Sequence, residues 1–180
     1  MLRLLCAWAL LLSGRLYSQA PEVIRPENQT AAKQLGAELV SEISFDIGEY
    51  KLKPNEAQEL RSVIEKARAS KPSAIKKVEI LTWADQNLPR PGEKETNSAV
   101  KLSALRSNEI KRLLKDQNIS RIRVYNMAKR TSALQRLLQT TTAQVKGTFQ
   151  GRTDQPATQS GPEDWHQGNS SKALVLISTQ

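Results

Sequence analysis

The sequence is poor in the residues that build catalytic and metal sites. Its 180 residues include one cysteine, Cys6, and one histidine, His166. Cys6 lies in an N-terminal segment that we expect to be removed, which excludes a disulfide, a thiolate metal site and a cysteine nucleophile. His166 has no second histidine or cysteine to complete a metal site, and no Gly-x-Ser-x-Gly motif or suitably spaced acid pair is present. We therefore expect no enzyme activity, no metal and no cofactor.

Long apolar runs are also missing. The run Leu4–Leu12 is short, and because crossing a bilayer takes roughly 20 residues, we expect no membrane span. This run follows Arg3 and is followed by small residues, an arrangement typical of a secretory signal peptide. We predict that residues 1–20 form such a peptide, cleaved near Ser18 or Ala20. The protein would then be exported, and we expect it in a periplasm or cell envelope.

Acidic residues are outnumbered. The chain has 27 Lys and Arg against 18 Asp and Glu, a formal charge of +9, and it stays basic when Arg3 and Arg15 are removed. An exported basic protein meets cell-wall carboxylates and lipid headgroups long before it meets nucleic acid. We therefore expect an envelope partner and no nucleic acid, although any single lysine can equally be a charge that solvates a helix face.

The apolar periodicity predicts an alternation of strands and helices. Residues 21–37 are rich in proline and polar side chains, and we interpret them as an irregular lead-in or linker. Two segments without periodicity, 86–97 and 150–171, are predicted to be loops. Alternation of period two predicts strands, and apolar residues three and four apart predict helices. The predicted strands lie near residues 40–47, 76–83, 121–125 and 172–178. A helix of about four turns is predicted with Pro54 near its first turn and Pro72 beyond its end, and two further helices are predicted near 98–117 and 133–138.

This order predicts an α/β (α+β) two-layer sandwich. Strands that alternate with helices favour a mixed or parallel sheet with the helices on one face. The final strand is densely apolar from Leu174 to Ile177, which favours a place in the interior of the sheet. An extra helix follows Thr131 and Ser132, either of which can cap it. The threonine run 140–142 is expected to end that helix.

Three segments resemble the OmpA-like domain family, and they occur in the order that this family has. Ile43-Ser-Phe-Asp-Ile-Gly-Glu-Tyr-Lys-Leu-Lys-Pro54 resembles the opening strand and turn of the domain. Val78-Glu-Ile-Leu-Thr-Trp-Ala-Asp85 is similar to the strand that ends in Gly-His-Thr-Asp, and Leu102-Ser-Ala-Leu-Arg-Ser107 to the motif Leu-Ser-x-x-Arg-Ala. The resemblance implies one OmpA-like domain at 38–180, in which the extra helix and a long loop occupy about 131–171.

The resemblance also implies a ligand. OmpA-like domains bind the diaminopimelate arm of a peptidoglycan stem peptide, and the Asp and Arg of the two motifs correspond to Asp85 and Arg106. A carboxylate and a guanidinium can pair with the ammonium and the carboxylate of that arm. Trp83, Asn97 and Ser103 are weaker candidates for the same pocket. The implied function is non-covalent binding of peptidoglycan in the cell envelope.

The motifs depart from the family in ways that leave a second function open. Thr82, Trp83 and Ala84 replace the usual Gly-His-Thr, and the paired arginines before the last strand are replaced by Ser170, Ser171 and Lys172. The alternative is an OmpA-like scaffold that has lost its ligand and serves as a periplasmic protein-protein interaction module. In either case an envelope or outer-membrane protein is a candidate partner.

Overall fold

The computed structural model describes residues 24–70, 75–86, 96–150 and 170–179. The predicted signal peptide and most of the two predicted loops lie outside these residues. None of the described helices has the length and hydropathy needed to cross a membrane. The described elements follow in the order α1 (Pro26–Gln34), β1 (Leu39–Ser44), α2 (Pro54–Ser70), β2 (Ile75–Thr82), α3 (Asn97–Asp116), β3 (Ile122–Asn126), α4 (Ala133–Leu137), α5 (Thr141–Gln150) and β4 (Lys172–Thr179).

The strands that are described form one mixed sheet in the order β1-β4-β2-β3. β4 is antiparallel to both of its neighbours, and Leu174 lies opposite Glu42 on one side and Leu81 on the other. β2 and β3 are parallel. β1 and β2 therefore run in the same direction, with the last strand between them. The predicted α/β fold, its mixed sheet and the interior position of the final strand are confirmed.

The helices α2 and α3 cover one face of this sheet. α2 begins at Pro54, a residue favoured in a first helical turn because its fixed φ suits the helix and it has no N–H to satisfy. Leu60, Ile64 and Ala67 recur at helical spacing and form one buried stripe. The same core contains Ile110, Leu113 and Leu114 from α3 and Ile43, Val78, Ile80, Val175 and Ile177 from the strands.

The opposite face of the sheet is covered as well, so the prediction that the helices lie on one face holds for α2 and α3 but not for α1 and α5. The two-layer sandwich thereby gains a third layer. The physical reason is that the strands carry apolar side chains on both faces, and a sheet of this kind is stable only when both faces are covered. The second core contains Ala32, Leu81, Trp83, Tyr125, Met127, Val145, Phe149, Leu174 and Leu176.

The helix α1 corrects the interpretation of residues 21–37 as irregular. The side chain of Asn28 is buried and donates a hydrogen bond to Glu42 on β1 at 3.3 Å. Glu42 also pairs with Lys172 at the start of β4, and Ala32 packs into the second core. A short polar helix is marginal by itself in water, so these tertiary contacts stabilise α1, and apolar periodicity could not predict it.

The chain after β3 forms two helices rather than one. α4 begins after Ser132, whose hydroxyl accepts from the backbone N–H of Gln135 at 3.2 Å while the Gln135 side chain accepts from Ser132 N–H at 3.0 Å. This capping box agrees with the predicted start. The threonine run 140–142 was expected to end the helix, but Thr140 accepts from the N–H of Ala143 at 3.3 Å and so caps α5.

Two groups of apolar side chains that helped to predict a strand and a helix are exposed. Ile47 continues the alternation of the first strand, but β1 ends at Ser44 and the side chain of Ile47 is 85% exposed. Gly48 follows with φ of 77°, a conformation that glycine adopts at low cost, and the chain turns there. The leucines of α4 and its C-terminal cap, Leu134, Leu137 and Leu138, are also exposed.

Candidate functional site

The segment that follows β2 carries the predicted site. Trp83 donates its backbone N–H to Lys172 O at 3.0 Å, and Ala84 O accepts from Ser171 N–H at 2.9 Å. These bonds extend the pairing of β2 with β4 beyond the end of the strand. Asp85 is the next residue, so its carboxylate is held just beyond the C-terminal end of β2.

Arg106 lies on the face of α3 that packs against the C-terminal end of β2. Its side chain is fully buried, although it belongs to a polar stretch of the helix that apolar packing does not account for. Its Nε donates to Glu49 O at 2.8 Å, and its Nη1 donates to Trp83 O at 2.9 Å. Its Nη2 donates to Asp46 O at 3.2 Å and to Asp85 Oδ1 at 2.6 Å. Four of the five N–H bonds of the guanidinium are therefore used.

An aromatic ring also supports the buried guanidinium. Cζ of Arg106 lies 4.8 Å from the ring centroid of Phe45, a distance at which a cation is attracted by the electron-rich ring face. Phe45 follows β1 directly and is itself part of the first core. The loop after β1, the end of β2 and α3 thus meet at Arg106.

Asp85 accepts hydrogen bonds from three separate segments of the chain. Its Oδ1 accepts from Arg106 and, at 2.7 Å, from the hydroxyl of Ser171, while its Oδ2 accepts from the backbone N–H of Gly48 at 2.6 Å. Partial burial of this carboxyl acts to raise the pKa of Asp85. The hydrogen bonds from Gly48, Ser171 and Arg106 outweigh burial, and the pKa lies below its usual 3.8. Asp85 is therefore ionised at neutral pH.

A cluster of buried hydroxyls fixes α3 against β2. Thr82 Oγ1 lies 2.6 Å from Ser107 Oγ and 3.0 Å from Ser103 Oγ, and Ser103 donates to Thr82 O at 2.7 Å. Ser103, a predicted member of the pocket, is thus buried in the contact between helix and strand. Thr82 stands at the position of the glycine in the family motif, and its side chain makes hydrogen bonds that a glycine cannot make.

The other two weaker candidates lie apart from the charged pair. The side chain of Trp83 packs in the second core, edge-on to Phe149 with ring centroids 6.3 Å apart. Only its backbone carbonyl reaches Arg106. Asn97 is the exposed first residue of α3. The structure therefore brings together Asp85 and Arg106, with Ser103 behind them in the helix contact.

Sequence reasoning missed two residues that hold Asp85. Gly48 presents its N–H from a turn with positive φ. The sequence signal for that turn was a glycine directly after Ile47, the last residue of the predicted strand. Ser171 has φ of 58° and bonds to Phe45 N–H through its carbonyl as well as to Asp85 through its hydroxyl. The carbonyl groups of Asp46 and Glu49 also escaped prediction, since backbone acceptors leave no mark in the sequence.

The described residues contain no group of three or more His, Cys, Asp and Glu side chains that could hold a metal ion. The only histidine, His166, lies outside those residues. What the site offers is one ionised, partly exposed carboxylate above a buried cation. Such a group can bind a positively charged ligand by a charge-assisted hydrogen bond.

No protein-family model matches the chain, and no curated protein is significantly similar to it. Among solved structures, the peptidoglycan-associated lipoprotein from Burkholderia pseudomallei is similar at 11% identity over 77% of this chain and 90% of that one, with a TM-score of 0.42. The OmpA-like domain of FopA1 from Francisella tularensis subsp. tularensis SCHU S4 is similar at 11% identity over 77% and 71%, with a TM-score of 0.39. The periplasmic domain of Helicobacter pylori MotB is similar at 7% identity over 78% and 76%, with a TM-score of 0.42.

Identities this low, with TM-scores below 0.5, give no information about a ligand. The function is therefore inferred from the contacts of this chain.

Proposed function

We propose that this protein binds peptidoglycan without a covalent bond, through the free ammonium of a diaminopimelate-type stem peptide. The observation that carries the proposal is the carboxylate of Asp85, which is ionised, held in place by three donors and 16% exposed. A fixed carboxylate at the surface is the group that an ammonium needs. The motif resemblance at Asp85 and Arg106 points to the same ligand.

The hydrogen bonds of Asp85 leave room for that ammonium. A carboxylate offers about four acceptor positions, and three are used, two on Oδ1 by Arg106 and Ser171 and one on Oδ2 by Gly48. Oδ2 can accept one further donor. A single charge-assisted hydrogen bond contributes about 1.5–3 kcal/mol, so binding at one site is weak and retention on the wall depends on many sites.

In this proposal Arg106 mainly positions the carboxylate of Asp85 and the turn after β1. It is buried and donates to three carbonyl groups and to Asp85, so it holds the turn after β1 and aims the carboxylate. The family resemblance implies that it also binds the carboxylate of the ligand. The bond to Asp46 O, at 3.2 Å the longest of the four, is the one that a ligand carboxylate can replace, and this exchange requires the turn at 46–49 to move.

The envelope location belongs to the same proposal. A signal peptide at residues 1–20 would carry the chain to the periplasm, where peptidoglycan is accessible. An envelope or outer-membrane protein is a proposed second partner, because one weak site gains retention when the protein is tethered.

A periplasmic protein-protein interaction module is the second candidate function, and the burial of Arg106 favours it. With four N–H bonds donated inside the protein, the guanidinium holds the fold together as it stands. In this alternative Asp85 is one more member of that internal network and has no ligand.

Co-sedimentation with purified peptidoglycan sacculi, at low and high salt, distinguishes the two. The decisive variant is Asp85→Asn, and its matched control is Asp116→Asn, an exposed acid at the end of α3. Each change removes one negative charge, so general adhesion of a basic protein to an acidic wall would increase slightly in both. A specific site predicts instead that Asp85→Asn pellets at least about tenfold less at high salt, while the control pellets like the unchanged protein.

Circular dichroism would first establish that both variants are folded. Equal pelleting of Asp85→Asn and the unchanged protein would overturn the ammonium site. Failure of the unchanged protein to pellet at all would reject peptidoglycan binding and favour the interaction module.

A further inference from the structure

The exposed leucines of α4 form an apolar surface outside the site at Asp85. Leu134, Leu137 and Leu138 have 64%, 79% and 64% of their surface exposed. They are spaced i, i+3 and i+4, so they share one face of a single helical turn. The capping box at Ser132 fixes the start of that turn. We name these three residues the leucine surface.

Single exposed leucines are common on soluble proteins and need no explanation. Three on one turn are different, because an exposed cluster of large apolar side chains is typical of a surface that contacts a partner or a membrane. The other highly exposed aliphatic side chain that is described, Ile47 at 85%, stands in the turn after β1. It serves below as a matched control.

The charged residues that neighbour the leucine surface along the chain are all basic. No Asp or Glu occurs from residue 117 to residue 150. Arg136 is exposed between Leu134 and Leu137, and the exposed Lys129 precedes α4. The basic residues of this stretch are Arg121, Arg123, Lys129, Arg130, Arg136 and Lys146. An exposed apolar turn that carries the exposed Arg136 and follows the exposed Lys129 along the chain is complementary to a surface that is apolar inside and negative outside.

We propose that α4 docks the protein on an anionic lipid bilayer, with the leucine surface inserted among the acyl chains near the headgroups and Arg136 and Lys129 against the lipid phosphates. Interfacial binding buries an apolar face only about 5–10 Å deep, a depth that the side chains of one exposed turn can reach. A helix that binds in a protein groove usually presents anchors at i, i+3, i+4 and i+7. α4 has five residues, so it ends before the fourth anchor, and this favours the bilayer.

The proposed docking is weak and depends on both the leucine surface and the basic residues. Each Lys or Arg near an anionic bilayer changes the affinity about fivefold, and salt reduces that contribution. The leucines add a contribution that salt does not remove. Binding to the membrane and binding to peptidoglycan use different residues, so each can fail without the other.

Flotation with lipid vesicles tests the proposal. The complete sequence is expressed with export and the protein is purified after removal of the predicted signal peptide, so that the apolar run Leu4–Leu12 cannot bind the vesicles and the variants differ only at the changed residue. Vesicles of phosphatidylcholine containing phosphatidylglycerol are compared with vesicles of phosphatidylcholine alone. We expect binding to the anionic vesicles, a reduction of about tenfold in Leu137→Ser and a reduction of about fivefold in Arg136→Gln.

Matched controls separate the leucine surface from general effects. Ile47→Ser removes an equally exposed aliphatic side chain elsewhere, and Arg112→Gln removes an exposed basic charge from α3. Both should bind the anionic vesicles like the unchanged protein. Leu137→Ser should still pellet with sacculi to the extent that the unchanged protein does, which distinguishes a failure of this proposal from a failure of the Asp85 site.

Two results would overturn the bilayer as the partner. If Leu137→Ser binds the anionic vesicles as well as the unchanged protein does, the leucine surface is not inserted. If the unchanged protein binds neither kind of vesicle, the partner of the leucine surface is a protein and not a bilayer.

Discussion

Oδ1 of Asp85 lies 2.6 Å from Nη2 of Arg106, although the two residues are 21 positions apart along the chain. The same guanidinium reaches the carbonyl groups of Asp46 and Glu49. One buried cation therefore joins the turn after β1, the end of β2 and the middle of α3. Of the four groups that accept a hydrogen bond from Arg106, the carboxylate of Asp85 is the charged one, and it is partly exposed. The pair therefore connects the interior of the protein to its surface.

Replacing Arg106 tests how much of the fold depends on it. In Arg106→Met a side chain of similar length remains, but three carbonyl groups and Asp85 lose a donor. We expect the free energy of unfolding to fall by about 3–5 kcal/mol, because breaking a buried pair leaves uncompensated polar groups behind. Urea denaturation measures this loss. Arg112→Met on the exposed face of α3 is the control and should cost no more than about 0.5 kcal/mol; similar losses in both variants would contradict a special role for Arg106.

The depressed pKa of Asp85 predicts how stability depends on pH. Its folded pKa lies below the ordinary 3.8, so the unfolded chain takes up a proton at a higher pH than the folded protein. The contribution of Asp85 to stability is then complete above the unfolded pKa, and it is lost as pH falls through the folded pKa. We expect Asp85→Asn to be less stable than the unchanged protein at pH 6, with a difference that narrows below about pH 4. Urea unfolding at both pH values checks this, and a difference independent of pH would contradict it.

Replacing Thr82 tests the buried hydroxyl cluster with little change in the shape of the side chain. Thr82→Val keeps the branched side chain but removes the oxygen that lies near Ser103 and Ser107. Because these serines are buried with the threonine, we expect the free energy of unfolding to fall by about 1–2 kcal/mol. Thr82→Ser retains the hydroxyl and removes a methyl group, so it separates hydrogen bonding from packing. If thermal or urea unfolding shows the serine variant to be the less stable of the two, packing rather than hydrogen bonding holds α3 against β2.

Apolar periodicity predicted the parts of the fold that packing determines. The stripe Leu60, Ile64 and Ala67 and the dense strand at 172–178 could be interpreted from the sequence because their neighbours in space are apolar. α1 could not, since contacts such as that of Asn28 with Glu42 hold a polar segment in helical form. The exposure of the α4 leucines could not be predicted, because periodicity shows which residues share a face and not whether anything covers that face.

The candidate site divides in the same way. Asp85 and Arg106 were predicted because a motif of charged side chains leaves a mark in the sequence. Gly48 N–H and the carbonyl of Asp46 left none, since every residue carries these groups and only the folded backbone selects between them. Trp83 was placed in the pocket by its motif, yet it packs beside Phe149 on the opposite face of the sheet. Strand alternation predicts that outcome, because Trp83 and Leu81 share one face.

The position of β4 has a consequence for how the protein folds. Leu39 pairs with Ile177, and Ile80 pairs with Val175, so β1 and β2 have no contact as strands until the last described strand enters between them. Long-range pairing of this kind slows folding, because the loop must close before the strands stabilise one another. An emerging chain would hold two unpaired strand edges until residues 172–179 arrive. Assembly of the complete sheet therefore waits for residues 172–179, and a chain that stops before residue 172 would lose the strand that joins its two halves.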